Sequence, residues 1–370
     1  MITRVTHITA LMAIVIFLLT FPLFATQFLV VQIGIQSLFL GIVALSLIFL
    51  AGYGGLVSLA QMALYGASGY ALAIVTISYG QPWFVGVIAG LICSTLLAGV
   101  FAVISVRTQG IYFIMITLAE AMLVFYYADQ DRIFTNGHTG INGVRPPIVG
   151  PIVMSDPNTF YYATLLIAAL VYLALRYIVR APFGLAFQGI RDNAQRMQSL
   201  GFNVYAHRVA AFTLAGFIAG IGGILGTWYN GAISPGSIDL TRTINILIIA
   251  VLGGLSYFEG AFVGALFFTL VTNFASSFTD RFNTVIGLAF LVVALFFPDG
   301  LIGLSMKTLH LITRIVPRRG RRAGVKPAPT SPSRPVQAPG NSRSVASDAL
   351  AEDKELLIVS VNPEEEEKEQ

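Results

Sequence analysis

A chain of 370 residues with 56 % hydrophobic and 11 % charged side chains, and a mean hydropathy of +0.78, falls well short of the roughly 25 % charge of a soluble domain. Between Arg4 and Arg107 there is no lysine, arginine or acidic residue, a surface that no water-soluble fold could keep in solution. The formal charge of +4 hides a basic stretch and an acidic stretch near the C-terminus, so it gives no sign of nucleic-acid binding.

The bilayer core cannot hydrogen-bond to the backbone, so spanning segments must be helices or closed barrels. Barrel strands would be short and strictly alternating. Here the apolar runs are continuous and of helix length, roughly 17–25 residues, which excludes a barrel. In chain order they predict spans at 8–26, 29–50, 57–79, 83–105, 111–128, 159–178, 208–229 and 284–304, with a further apolar block at 243–275. The first run follows Arg4 but lacks a small-residue cleavage site, and a second span begins almost at once, so it reads as a retained helix. The expected fold is therefore an all-α polytopic transmembrane bundle of about eight to ten crossing segments. Its expected divisions are an N-terminal helix (1–28), a transmembrane core (29–306) and a cytoplasmic tail (307–370).

Basic residues set orientation. The segment 176–208 carries Arg176, Arg180, Arg191, Arg196 and Arg208 against Asp192 alone, and Arg318, Arg319, Arg321 and Arg322 open the tail. Both segments, and the N-terminus, are expected on the cytoplasmic side. The loop 129–158, with Asp129, Asp131 and Asp156 against Arg132 and Arg145, is expected outside. Even parity then requires the block 243–275 to cross twice or not at all. It is too short for two full spans of about 20 residues. Two half-helices meeting at Gly253 and Gly254 satisfy both counts, and one tilted helix is the alternative. Beyond residue 316 the Pro-, Ser- and Arg-rich and then acidic composition cannot bury enough apolar area to order itself.

Three stretches carry information. Small residues from Gly52 to Gly55, with Ser58 and Gln61, allow close helix packing and interhelical hydrogen bonds, or an unwound backbone open to a solute. Between Pro182 and Gly201 the pattern suits a short amphipathic helix, with Leu185, Ile190, Met197 and Leu200 apolar and Arg191, Asp192 and Arg196 polar. Such a helix can dock in a groove of a partner or lie on headgroups. Pro235 and Gly236 make a turn just outside the membrane. No catalytic set is present. The four histidines are far apart and off zinc-ligand spacing, Cys93 stands alone, and no Walker A loop occurs, so any ATPase must be a separate chain.

In order, these residues are Gly52-x-x-Gly55-x-x-Ser58-Leu59-x-Gln61, Tyr112-Phe113 with Thr117-Leu118, and Pro182-Phe183-Gly184 with Ile190-Arg191-Asp192-Asn193 and Leu200-Gly201-x-Asn203. Ser234-Pro235-x-Ser237 then precedes Val251-Leu252-Gly253-Gly254-Leu255. Over roughly 30–305 the combination resembles the membrane permease subunits of the branched-chain amino acid ABC importers. The resemblance implies a bacterial or archaeal cytoplasmic (inner) membrane protein that is not an enzyme and holds no cofactor. Its implied partners are two cytoplasmic ABC ATPases, which hydrolyse the ATP, a second related permease and an external substrate-binding protein. It further implies that the loop bearing Ile190, Arg191, Asp192, Asn193, Leu200 and Gly201 docks on the ATPase. Ser58, Gln61, Glu120, Asn245, Gly253 and Gly254 are the implied candidates for the translocation path. The sequence departs from the pattern at Gly55, where Gln is frequent, at Met122, where a polar residue is common, and at Asn245, often Glu.

Glu120 is an ionisable residue within an apolar run, a placement whose default reading is functional. It faces a substrate ammonium or a partner, or else the helix starts late and leaves it near an interface. A self-sufficient secondary transporter or channel is the competing class. It would need coupling-ion residues in the membrane, and Glu120 and Glu259 are the available ones.

Overall fold

The computed structural model of the chain describes residues 18–278 apart from 23, 25, 150 and 151, together with 284, 287, 300 and 301. Most of the expected first span at 8–26, nearly all of the last span at 284–304, and the whole tail from 307 lie outside these residues. Ten helices are described: α1 (Leu29–Tyr53), α2 (Gln61–Ala73), α3 (Trp83–Ser105), α4 (Ile111–Gln130), α5 (Pro157–Arg180), α6 (Pro182–Asp192), α7 (Ala194–Ser199), α8 (Val204–Asn230), α9 (Leu240–Gly253) and α10 (Glu259–Phe278). Six helical segments, α1, α3, α4, α5, α8 and Pro235–Gly253 containing α9, are long and apolar enough to cross a membrane.

α1 is the axis of the bundle. Of its apolar stretch 89 % is buried, against 28 % for each of α3, α4 and α5, so the latter three turn most of their surface outward. The outward stripe of α3 is Ile88, Ile92, Leu96 and Val100, and its inward stripe is Gly86, Gly90, Ser94, Ala98 and Ala102. Both repeat every fourth residue, so small side chains face the bundle and large ones face away. In hydrocarbon, helix association rests on close van der Waals packing rather than on water exclusion. The inward stripe provides it. A Cβ on Gly216 of α8 would lie 2.1 Å from the Ala98 methyl, and one on Gly223 would lie 2.1 Å from the Tyr65 carbonyl oxygen of α2. Ser68 Oγ donates to Gly220 O at 2.9 Å across the same contact.

Two expected spans differ from their sequence reading. The run 57–79 becomes helical only at Gln61, after the non-helical residues 55–60. Hydropathy registers that these residues are buried, but burial by neighbouring helices allows an unwound backbone as readily as a helix. The block 243–275 is the turn-linked pair α9 and α10, of 14 and 20 residues. Gly254, at φ +105°, makes the break in a backbone region open chiefly to glycine. The two helices cross in contact where Gly253 meets Gly260 and Gly264 meets Ile249 O. The block is thus two helices meeting at Gly253 and Gly254, with α9 at the end of the span-length segment Pro235–Gly253.

At the far end from α6, the connection after α4 is tied down by two short antiparallel pairings. β1 (Ile141–Asn142) pairs with β4 (Ala232–Ile233), Ile141 opposite Ile233, and β2 (Ile148–Val149) pairs with β3 (Ile152–Val153). The turn at Pro235–Ser237 that launches α9 is thereby fixed to the end of α8. α5 begins with Pro157 behind the cap Asp156, whose Oδ2 accepts from Thr159 N at 3.1 Å.

Gly223→Ala is expected to lower the stability of the detergent-solubilised chain by about 1–3 kcal/mol, the usual cost of overpacking, seen as a fall in its thermal transition. Gly99→Ala, whose Cβ would meet only Thr213 Oγ1 at 3.7 Å, leaves that transition in place.

Candidate functional site

The loop between α5 and α8 does not form one amphipathic helix. It forms α6 and α7, broken at Asn193, whose backbone is extended and whose Oδ1 accepts from Arg196 N at 2.9 Å, capping α7. Of the expected apolar face, Leu185 and Leu200 are exposed, Met197 is half-buried and Ile190 is buried, while the anchor to the bundle is Phe187, which is fully enclosed. The reason lies in the end of α1. Gly54 leaves a gap that the Phe187 ring fills, so that a Cβ there would come within 2.0 Å of the ring, and Phe49 packs beside it at 5.6 Å. Phe183 continues the stack to His207 at the start of α8, at 5.8 Å.

Arg191 lies over the same glycines. Its Nη1 donates to Gly52 O, its Nε and Nη2 donate to Asp192 Oδ1 at 3.0 and 2.9 Å, and its Cγ would lie 3.0 Å from a Cβ on Gly55. Gly55 has φ +67°; a Gln at this position would be strained and crowded against Arg191. Gly52 also faces the hairpin between α9 and α10, at Leu255 O. Tyr53 stacks on Phe258 at 4.5 Å. Glu259 accepts from Tyr172 Oη and meets Arg176 Nη1 at 3.3 Å on α5. Four consecutive residues, Gly52 to Gly55, therefore join the loop, the hairpin tip and the start of the unwound segment.

From there the chain turns back into the bundle. Leu56 N donates to Leu50 O at 3.0 Å, and Ala60 N donates to Ser58 Oγ at 3.2 Å. Leu59 N donates to Thr117 Oγ1 of α4 at 3.1 Å. Helix α2 then begins at Gln61, whose Oε1 accepts from Ser46 Oγ at 2.9 Å. Ser46 is seven residues before the end of α1, so α2 starts about 10 Å inside the bundle at 1.5 Å per residue. The Gln61 Nε2 amide is buried without an acceptor among the described residues.

Glu120 is the tenth of the 20 residues of α4, one turn beyond Thr117 on the same face. α4 starts early enough that Glu120 falls at the middle of the helix. Ser105 Oγ donates to Glu120 Oε1 at 2.6 Å, and Oε2 is buried without a partner among the described residues. Ser58 lies in the unwound segment and Gln61 directly after it, while Glu120 lies one turn beyond Thr117, which accepts from Leu59 N in that segment. Asn245 lies half-buried on α9, while Gly253 and Gly254 form the helix crossing and the break at the hairpin tip. Ser46 and Ser105 hold the two unsatisfied groups in place, and neither carries a sequence signal, being a small polar residue in an apolar run.

Thr117→Val keeps the shape of the side chain but leaves Leu59 N without its acceptor, at an expected cost of about 1–3 kcal/mol. Amide exchange at Leu59 is expected to accelerate while the amides of α8 keep their protection.

A family model described as branched-chain amino acid transport system / permease component matches residues 29–296. The high-affinity branched-chain amino acid transport system permease protein LivM of Salmonella typhimurium is 23 % identical over 326 residues, covering 81 % of this chain and 76 % of that protein. The nucleoside ABC transporter permease protein NupC of Lactococcus lactis is 27 % identical over 208 residues, covering 52 % of this chain and 63 % of its own. The autoinducer 2 import system permease protein LsrC of Escherichia coli is 28 % identical over 174 residues, covering 46 % and 48 %. No solved structure matches the chain.

Proposed function

The chain belongs to the branched-chain amino acid transport permease family, and on that premise we propose that it forms the membrane path of an importer for branched-chain or related amino acids and takes its energy from a separate ATPase. The observation that carries this reading is the seating of α6 on Gly52–Gly55. Arg191 and Phe187 hold the glycines at which α1 ends and the unwound segment begins. A push on α6 from outside the bundle therefore acts directly on the segment that leads to Leu59, Gln61 and Glu120.

In this mechanism two ABC ATPases dock on α6 and α7 in the cytoplasm, the side to which the positive-inside pattern assigns the loop. Their closure shifts α6 together with Gly52–Gly55 and the hairpin tip. The unwound residues, held mainly by single hydrogen bonds, are the part of the path that yields. Helix rocking between two access states follows. A solute crossing at this level meets a carboxylate oxygen at Glu120 and an amide donor at Gln61. These two complementary groups suit the ammonium and carboxylate ends of an amino acid. A second, related permease and an external binding protein complete the importer. This chain performs no covalent chemistry and holds no cofactor.

The nucleoside and autoinducer 2 permeases among the relatives keep sugars, nucleosides and small amides open as solutes. One observation favours a self-sufficient secondary transporter instead: Glu120, midway along α4, makes no ion pair among the described residues, as a coupling-ion site would require. Purification from native membranes in mild detergent separates the two. Recovery of a Walker-A-containing ATPase supports the importer, and a chain recovered alone under several detergents supports the other class.

Arg191→Glu is expected to reduce uptake in membrane vesicles by more than about tenfold, a change of ~1.4 kcal/mol, with membrane insertion intact. Full uptake by that variant would remove the docking role of α6. Glu120→Gln, nearly isosteric but uncharged, is expected to weaken uptake of a zwitterionic amino acid about tenfold or more while sparing uncharged solutes. Equal loss for both would instead indicate a packing role for Glu120.

A further inference from the structure

Among the described residues, the arginines on the loop side of the bundle have partners or face water, with one exception. Arg191 is bonded to Gly52 O and Asp192, and Arg176 to Tyr172 and Glu259. Arg107 lies over the Tyr205 ring at 5.9 Å, and Arg180 and Arg196 are exposed. Arg208, the fifth residue of α8, is only 7 % exposed. Its guanidinium makes no hydrogen bond or ion pair among the described residues, and its Nε is shut away without an acceptor.

Arg208 sits in the middle of the buried face of α8, with Val204 one turn before it and Phe212 one turn after. The Phe212 ring meets Phe113 of α4 edge to face at 6.2 Å. α4 runs in the same direction as α8, since the strands that follow the two helices pair with each other. The buried face of α4 continues from Phe113 to Thr117 and Glu120, and Thr117 accepts from Leu59 N of the unwound segment. The two faces thus form a series from the loop side inward: Arg208, the Phe113–Phe212 ring pair, then the unwound segment and Glu120.

Arginine is almost never this buried without a partner, because an isolated charge is costly to keep out of water unless an anion meets it. Lipid phosphates and the acidic side chains of a docked protein reach exposed faces. Arg208 faces the interior, where the anion that arrives is a small one moving through the bundle. A planar guanidinium holds a carboxylate by two parallel N–H···O bonds. We infer that Arg208 is a binding residue for the carboxylate of the transported amino acid, at a station on the cytoplasmic side of the Phe113–Phe212 ring pair, reached after Gln61 and Glu120. The inference rests on the importer reading above and adds to it the carboxylate as a group that the exit end of the path recognises.

The test uses the whole transporter purified in detergent and follows its thermal transition with two probes, L-leucine and L-leucinamide, which lacks the carboxylate. A ligand raises the transition in proportion to its affinity. In the wild type L-leucine is expected to half-saturate that rise at a concentration at least about tenfold below L-leucinamide, as one charge-assisted contact provides. Arg208→Gln is expected to remove the difference. Arg208→Met, an apolar chain in place of the charge, is expected to remove it too, while the transition without ligand stays in place or rises. A difference that survives both substitutions would overturn the inference. So would a fall of the unliganded transition in both variants, which marks a packing role, or an equal loss of response to both probes, which marks a contact within the bundle such as a pairing with Glu120. Failure of the importer reading shows separately in the wild type, as purification without an ATPase or no response to either probe, and would remove this inference with it.

Discussion

A break in a helix inside a membrane is tolerated only where protein, and not lipid, surrounds the freed backbone. The unwound residues 55–60 impose that requirement on this fold, and much of the bundle serves it. The break sits at the end of the most buried helix, and its amides find acceptors on three sources: Leu50 O, Ser58 Oγ and Thr117 Oγ1. Helix α4, otherwise largely turned outward, is drawn against the core at Phe113, Thr117 and Glu120. One of these, Thr117, provides the acceptor for Leu59.

Glycines make the surrounding packing close enough to seal that break. Along α8, Gly216, Gly220 and Gly223 let α2 and α3 approach to the limit of backbone contact. At the loop end, Gly52 and Gly54 accept the hairpin and the Phe187 ring in the same way. The mechanical consequences of the two groups differ. The first ties three helices into a block by many shallow contacts over several turns. The second concentrates contacts from α6 and from the hairpin residues Leu255 and Phe258 on four residues, with the Arg176–Glu259 pair beside them. That pair is about two-fifths exposed on both sides, so it is worth little as a source of stability. It serves better as a contact that can open and close.

The polar groups of the interior divide by satisfaction. Ser68, Thr227 and Thr164 return their hydroxyl protons to carbonyls of their own or a neighbouring helix and act as helix-packing residues. Gln61 and Glu120 each keep one buried atom without a partner among the described residues, an amide donor in one and a carboxylate acceptor in the other, at a cost that packing alone does not repay.

Most of the architecture was legible in the sequence. The run 83–105 coincides with the ends of α3, and the spans that became α4, α5 and α8 lie within a few residues of their helices, because length and hydropathy are local consequences of bilayer thickness. The glycine break in 243–275 was readable for the same local reason. Three matters were decided only by the tertiary structure. Residues 57–60 look helical by hydropathy, but neighbouring helices bury them unwound. The loop anchors on Phe187, because the gap it fills is made by Gly54, more than a hundred residues earlier. Asn245 and Gln61 look alike in sequence, yet one is half-buried on α9 and the other lies in the core. Periodicity tells which residues share a helix face, but not which helix, if any, that face meets, and that is set by contacts distant in the chain.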